Sequence, residues 1–219
     1  MKKFLNQLPH LHLYLSISCF IITATMLLLR FADLTVVERL TYASFCILCL
    51  HMQEEYRLPG GFIYGLNMVM GAKDPLAGPG NGVSAATVDM LTLVIWLPML
   101  LIDCTPAFSL FLCLFGLIEA VMHTGFGLVA HHKLAAKGKD TIYFPGNATA
   151  WFLFAPVDLA LLTKLISAHL LTAGQWGLIG AIMVVFIVAI LVLEQFLAKV
   201  GQGVVYRTRP VEGYFKAFR

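Results

Sequence analysis

Two histidines and four carboxylates in this chain have the types and spacing of a metal-ligand set. His51, Glu54 and Glu55 read H-x-x-E-E, and Glu119 and His123 stand four residues apart. Successive helical residues turn by about 100°, so the first three share one fan and the second two are neighbours on one face. Asp89 falls at a comparable depth in a separate apolar segment. Imidazoles and carboxylates cannot all be charged in one low-dielectric site, and a divalent cation relieves that repulsion. Mixed N/O ligation suits zinc, iron or manganese. His51, Glu54, Glu119, His123 and Asp89 are therefore the candidate ligands, with Glu55 the candidate general base. Tyr143 and Asn147, at the head of a later helix, are placed to orient a substrate or stabilise an oxyanion.

Blander accounts stand beside this one. His51, Glu54, Glu55 and Arg57 also suit the polar end of a helix at a membrane surface, and Glu119 with His123 a buried hydrogen bond. His131 and His132 read as solvated, and His10 and His12 as interfacial. Asp158, beside Pro156, reads as a helix cap or kink, and Glu194 as a residue that snorkels to the interface.

The elements that must position these groups are membrane helices. Hydrophobic residues make up 59% of the 219 and charged residues 12%, about half the charged share of a soluble domain. About 20 apolar residues cross a bilayer. Six segments come near that length: 13–29, 36–52, 85–102, 106–130, 148–167 and 176–197. The first is too long for a signal peptide and no A-x-A site follows it, so it reads as a retained helix. Residues 59–71, PGGFIYGLNMVMG, are too short to cross and read as a re-entrant or interfacial piece. The Gly/Pro-rich KDPLAGPGNG that follows is a loop. The fold expected is an all-α polytopic bundle of about six helices, one integral membrane domain over 1–219. Its motif core spans 45–150, and a basic cytoplasmic tail spans 199–219.

Six spans put both termini on one side. Of the 15 Lys and Arg, only Arg30, Arg39 and Lys164 then fall on the other side. The positive-inside rule makes the termini cytoplasmic, and all the candidate ligands lie toward that face. The basic residues form no face for nucleic acid. Five cysteines inside apolar runs argue against a disulfide framework, and the Cys46-x-x-Cys49 pair reads as packing between helices.

His51-Met-Gln-Glu54-Glu55-Tyr56, followed by Pro59-Gly60-Gly61-Phe62, resembles the family of bacterial membrane proteins with the HXXEE motif. His123 and the Tyr143, Pro145, Gly146, Thr149 segment agree with it. The resemblance covers roughly 45–150 and implies a metal-binding protein of the bacterial inner membrane, without a settled reaction. Where that family usually has Asn four residues before the later His, this chain has Glu119.

Beside a metal-free acid–base enzyme, in which Glu/His pairs move a proton in a lipid substrate, three functions fit these residues. The first is a metal-dependent hydrolase, with zinc, acting on a lipid or membrane-anchored substrate at the cytoplasmic leaflet. The second is a hydroxylase or desaturase with two irons, which needs about four carboxylates and two histidines and so both Glu54 and Glu55. The third is a proton- or cation-coupled transporter. Such proteins favour midplane sites and internal repeats, and this chain has a one-sided cluster and no convincing repeat.

Overall fold

Four of the long helices carry their own start signals at the N-terminus. Thr35 and Glu38 close a capping box, Asn81 accepts from Val83 and Ser84 N–H, Thr105 precedes Pro106, and Thr172 pairs with Gln175. In the computed structural model, which describes residues 2–76, 80–201 and 212–218, these signals open an all-α bundle. After a turn at Lys2–Leu5 come α1 (Leu8–Leu29), α2 (Val36–Tyr56), α3 (Phe62–Val69), α4 (Gly82–Ile102) and α5 (Pro106–Leu134). Then come α6 (Asn147–Ser167), α7 (Ala173–Val200) and a 3₁₀ segment, Gly213–Phe218. Helix α6 contains a π-helical turn at Ala150–Phe154. Among the described residues there is no strand. Arg207, Arg209, Arg219 and most of the expected basic tail lie outside the described residues, as do positions 77–79 of the Gly/Pro-rich loop.

Five helices are long and apolar enough to cross a membrane: α1, α4, α5, α6 and α7. The sixth expected span, α2, is equally long, but Glu38, Arg39, Glu54 and Glu55 make it too polar to qualify on composition. Its position explains why. It packs against α1, α5 and α6, and buries Tyr42, Phe45, Leu48, Cys49 and Met52 in the main core. Its polar groups meet protein rather than lipid, which is where a membrane helix tolerates them. By contrast α7 leaves Val184, Val185, Val188, Val192 and Phe196 exposed. An apolar surface of that extent needs hydrocarbon around it. The chain is a membrane protein.

The turns 57–61 and 135–146, the start of α4 and the end of α7 gather at one end of the bundle. Gln53 of α2 donates to Leu13 O and Ser16 Oγ of α1, and Asn81 donates to Ala198 O at the end of α7. Helix α3 spans eight residues, too short to cross, and packs on protein at this end. The Lys133 ammonium caps it by donating to Met68 O and Val69 O, where a helix C-terminus favours a cation. All five cysteines are free thiols.

Candidate metal centre

Helices α2 and α5 supply the cluster. From α2, His51 and Glu55 point inward one turn apart. From α5, Glu119 and His123 do the same, so each helix contributes one imidazole and one carboxylate. His123 Nε2 lies 3.1 Å from Glu55 Oε1 and 3.3 Å from Glu119 Oε2. His51 Nε2 lies 3.7 Å and 3.8 Å from the same two oxygens. The rings of His51 and His123 meet edge to face, 4.7 Å between centroids. His51, Glu55 and His123 can each offer one ligand atom so that all three lie within 4.8 Å of one another. A tetrahedral ion with bonds of about 2.0–2.1 Å separates its ligand atoms by about 3.3–3.4 Å. The four histidine–carboxylate distances bracket that edge length.

Neither His51 Nε2 nor either nitrogen of His123 has a hydrogen-bond partner among the described residues. Both histidines are buried. Imidazole nitrogens left bare in a dry interior are costly unless another atom uses them.

Glu54, expected as a ligand, has a different position and role. It faces the head of α6, where Tyr143 OH and Ala148 N–H donate to Oε1 at 2.9 and 3.0 Å. Thr149 N–H and Thr149 OH donate to Oε2 at 2.7 and 2.6 Å. Four donors fill the lone pairs of this carboxylate, leaving none for an ion. Glu54 thus satisfies the orphan N–H groups that begin α6 and meets the positive end of its dipole. Burial, reinforced by the charge and hydrogen bond of Glu54, pushes the Tyr143 hydroxyl well above the ordinary range, so it stays a donor.

Thr149 also reaches the cluster. Its Oγ1 is 2.7 Å from His51 Nδ1. The single hydroxyl proton goes to Glu54, so Oγ1 accepts from His51 Nδ1–H, and Nε2 is left with its lone pair toward Glu55 and Glu119. This chain from carboxylate through hydroxyl to imidazole is the outer-shell support that metal-binding histidines use. Gly146 completes the fit. Its φ of +103° suits glycine alone, and a Cβ there would run into the His123 ring.

Asp89, also expected among the ligands, instead pairs with His12 of α1, Oδ2 to Nε2 at 3.4 Å. His12 was expected at the interface but is buried, edge-on to Tyr56. Asn147 is buried, its Nδ2 donating to Ile142 O and its Oδ1 unpartnered among the described residues.

Aromatic rings close the site toward the loop end. Phe62 of α3 stands 5.3 Å from His123 and 5.8 Å from Phe144, and Phe144 is 5.3 Å from Phe215 of the C-terminal segment. Lys139 underpins this cap. Buried almost completely, it donates to Thr141 O, Tyr143 O and Tyr214 OH. Nothing in the local sequence pattern marked Lys139 or Phe215, because their partners are distant in the chain.

With the geometry in place, one family model matches, over residues 42–161, more than half of the chain. Its description is "Protein of unknown function with HXXEE motif". The chain belongs to this family. No curated protein and no solved structure matches it. The three lettered residues of the HXXEE motif are thus divided here between two tasks. His51 and Glu55 face the cluster, and Glu54 clamps the head of α6.

Proposed function

We propose that this HXXEE protein is a metal-dependent hydrolase acting on a lipid or membrane-anchored amphiphile. It sits in a bacterial cytoplasmic membrane with both termini inside. The observation that carries the proposal is the convergence of His51 Nε2 and His123 Nε2 on Glu55 and Glu119 at 3.1–3.8 Å, with no hydrogen bond of good geometry at either nitrogen among the described residues. The donor set fits a zinc-like ion, with His51, His123 and Glu55 as the holding residues. A divalent cation there would supply Lewis acidity and lower the pKa of a water toward 7. Glu119, expected as a ligand, is close to both imidazoles but outside that trio, so it is the spare carboxylate and takes the proton as general base, the role expected of Glu55.

Tyr143 and Asn147 divide the positioning work. Tyr143 acts on the site through Glu54, whereas the bare Asn147 Oδ1 accepts a hydrogen bond from substrate. Because Phe62, Phe144 and Phe215 close the loop end, substrate enters sideways from the lipid, which suits an acyl or prenyl chain. With Glu54 engaged by four donors, the two-iron alternative lacks a carboxylate it needs.

Elemental analysis of the detergent-purified protein beside a His51→Ala/His123→Ala variant tests this. Near-stoichiometric zinc, lost in the variant, is expected. Two irons per chain move the function to oxidation, and no metal in either sample overturns the proposal. Reporter fusions at the C-terminus test the orientation.

A further inference from the structure

Beyond the cluster, Glu54 and Asp89, another buried acid lies in the bundle. Asp158 of α6 is fully buried, and neither carboxyl oxygen has a hydrogen-bond partner among the described residues. It does not cap α6, because no backbone N–H reaches it. The side chain is accommodated by Gly116 of α5, where any Cβ would strike the carboxyl oxygen and the ring of Phe154. Ser44 of α2 faces it, its hydroxyl without a hydrogen bond of good geometry among the described residues. Cys113 of α5 donates to the Asp158 carbonyl at 3.1 Å. Among the described residues no cation pairs with the carboxyl. An ionised carboxylate in such surroundings is far costlier than a neutral acid.

Polar groups continue along the same three-helix interface. Thr41, one turn before Ser44, bonds Ser109 of α5 at 2.8 Å, and both are fully buried. Ser109 lies 3.9 Å from Cys104, which is half-buried at the far end of the bundle. In the other direction His51 follows Ser44 by seven residues, about 10 Å of helix rise. Phe154 stands between, its ring 5.5 Å from that of His51. A broken line of hydroxyls, a thiol and one acid therefore runs from the far membrane face to the His/Glu cluster.

We propose that Asp158 is an intramembrane proton carrier, on a polar seam of Thr41, Ser44 and Ser109 that joins the His/Glu cluster to the opposite face of the membrane. It takes a proton arriving through the hydroxyls and passes it on when Phe154 turns aside. No bond other than O–H is made or broken, so the step needs no co-reactant. The seam delivers or removes protons whatever reaction the cluster carries out, and it does not depend on the cluster holding a metal.

Infrared spectroscopy of the whole chain in lipid nanodiscs, at neutral pH in H₂O and then D₂O, tests this. A carboxylic-acid C=O stretch is expected that vanishes in Asp158→Asn and shifts in D₂O. Ser44→Ala and Thr41→Val each slow that shift several-fold. Should Asp158→Asn not fold, wild-type chain carrying carboxyl-¹³C aspartate, with Asp89→Asn as the control, assigns the same band. Absence of an Asp158 acid band means an ionised carboxylate and overturns the proposal. So does a band that never shifts in D₂O, or a shift whose rate both seam variants leave unchanged. Metal content in Asp158→Asn stays at the wild-type level, so failure here and failure of the metal site are read separately.

Discussion

Thr149 Oγ1 sits 2.7 Å from His51 Nδ1, joining helices whose residues are 98 positions apart in the chain. Because that hydroxyl donates to Glu54 at 2.6 Å, it can only accept from the imidazole. The consequence is a fixed tautomer, with the His51 Nε2 lone pair directed into the cluster. The first glutamate of the motif therefore acts on the first histidine without touching it.

Thr149→Val keeps the shape of this side chain and removes the relay. Metal affinity is expected to fall by about 10–100-fold, as with other outer-shell changes, while Thr149→Ser restores most of it. Competition with a chromophoric chelator measures both. Equal affinity in wild type and Thr149→Val would remove the relay from the account.

Glu54→Gln tests the clamp. The amide places an NH₂ group against N–H and O–H donors that now converge on a carboxylate. Losing charge-assisted bonds at a buried site costs about 2–3 kcal/mol, read as a lowered thermal midpoint in detergent. Glu55→Gln, at a carboxylate that faces the two imidazoles rather than a set of donors, is expected to cost less stability and more metal. If Glu54→Gln instead strips the metal with stability unchanged, Glu54 is a ligand after all.

These two glutamates show how far the sequence could be read. The all-α fold, the polar band at one depth and the pairing of His51 with His123 follow from periodicity and from the cost of charge in lipid. The division of labour between Glu54 and Glu55 does not. Both lie on the same fan of α2, and only the approach of Ala148 and Thr149 from α6 separates them. His12 was hidden for the same reason: whether a histidine near the start of a helix meets water or Asp89 depends on how α1 packs against α4. The polarity of α2 was visible, but its enclosure by neighbouring helices was not.

Tyr143 gives a pH signature. Burial and the neighbouring Glu54 carboxylate raise its folded pKa above the ordinary tyrosine range. A raised folded value means that its contribution is complete below the unfolded pKa and is lost as pH rises through the folded one. Thermal midpoints of wild type and Tyr143→Phe are therefore expected to differ by a constant amount from neutral pH to about 10, and to converge only at more alkaline pH. Convergence beginning on the acid side of that value would contradict a hydroxyl held in its donor form.

Gly146→Ala addresses the fit between the α6 head and the cluster. A residue with a Cβ pays roughly 1–2 kcal/mol to hold a left-handed backbone, and here the new methyl also meets the His123 ring. The variant is expected to lose metal more completely than Thr149→Val, because it displaces a proposed ligand rather than loosening one. Normal metal content would mean that His123 has room to move and is not held for ligation.

Phe215→Ala tests the aromatic closure. The ring is buried against Phe144, Tyr64 and Gly65, and Gly65 has no space for a methyl beneath it. Truncating a buried phenylalanine costs about 3–5 kcal/mol where the cavity cannot collapse, so a clear drop in thermal midpoint is expected. The ligands themselves are untouched, so metal stays bound in chain that remains folded, but a water-soluble chelator should remove it faster than from wild type. Should removal be equally slow in both, the loop end is not the barrier. The route to the cluster from that side would then be blocked by Phe62 and Phe144 alone, whose rings stand next to His123 whatever the C-terminal segment does.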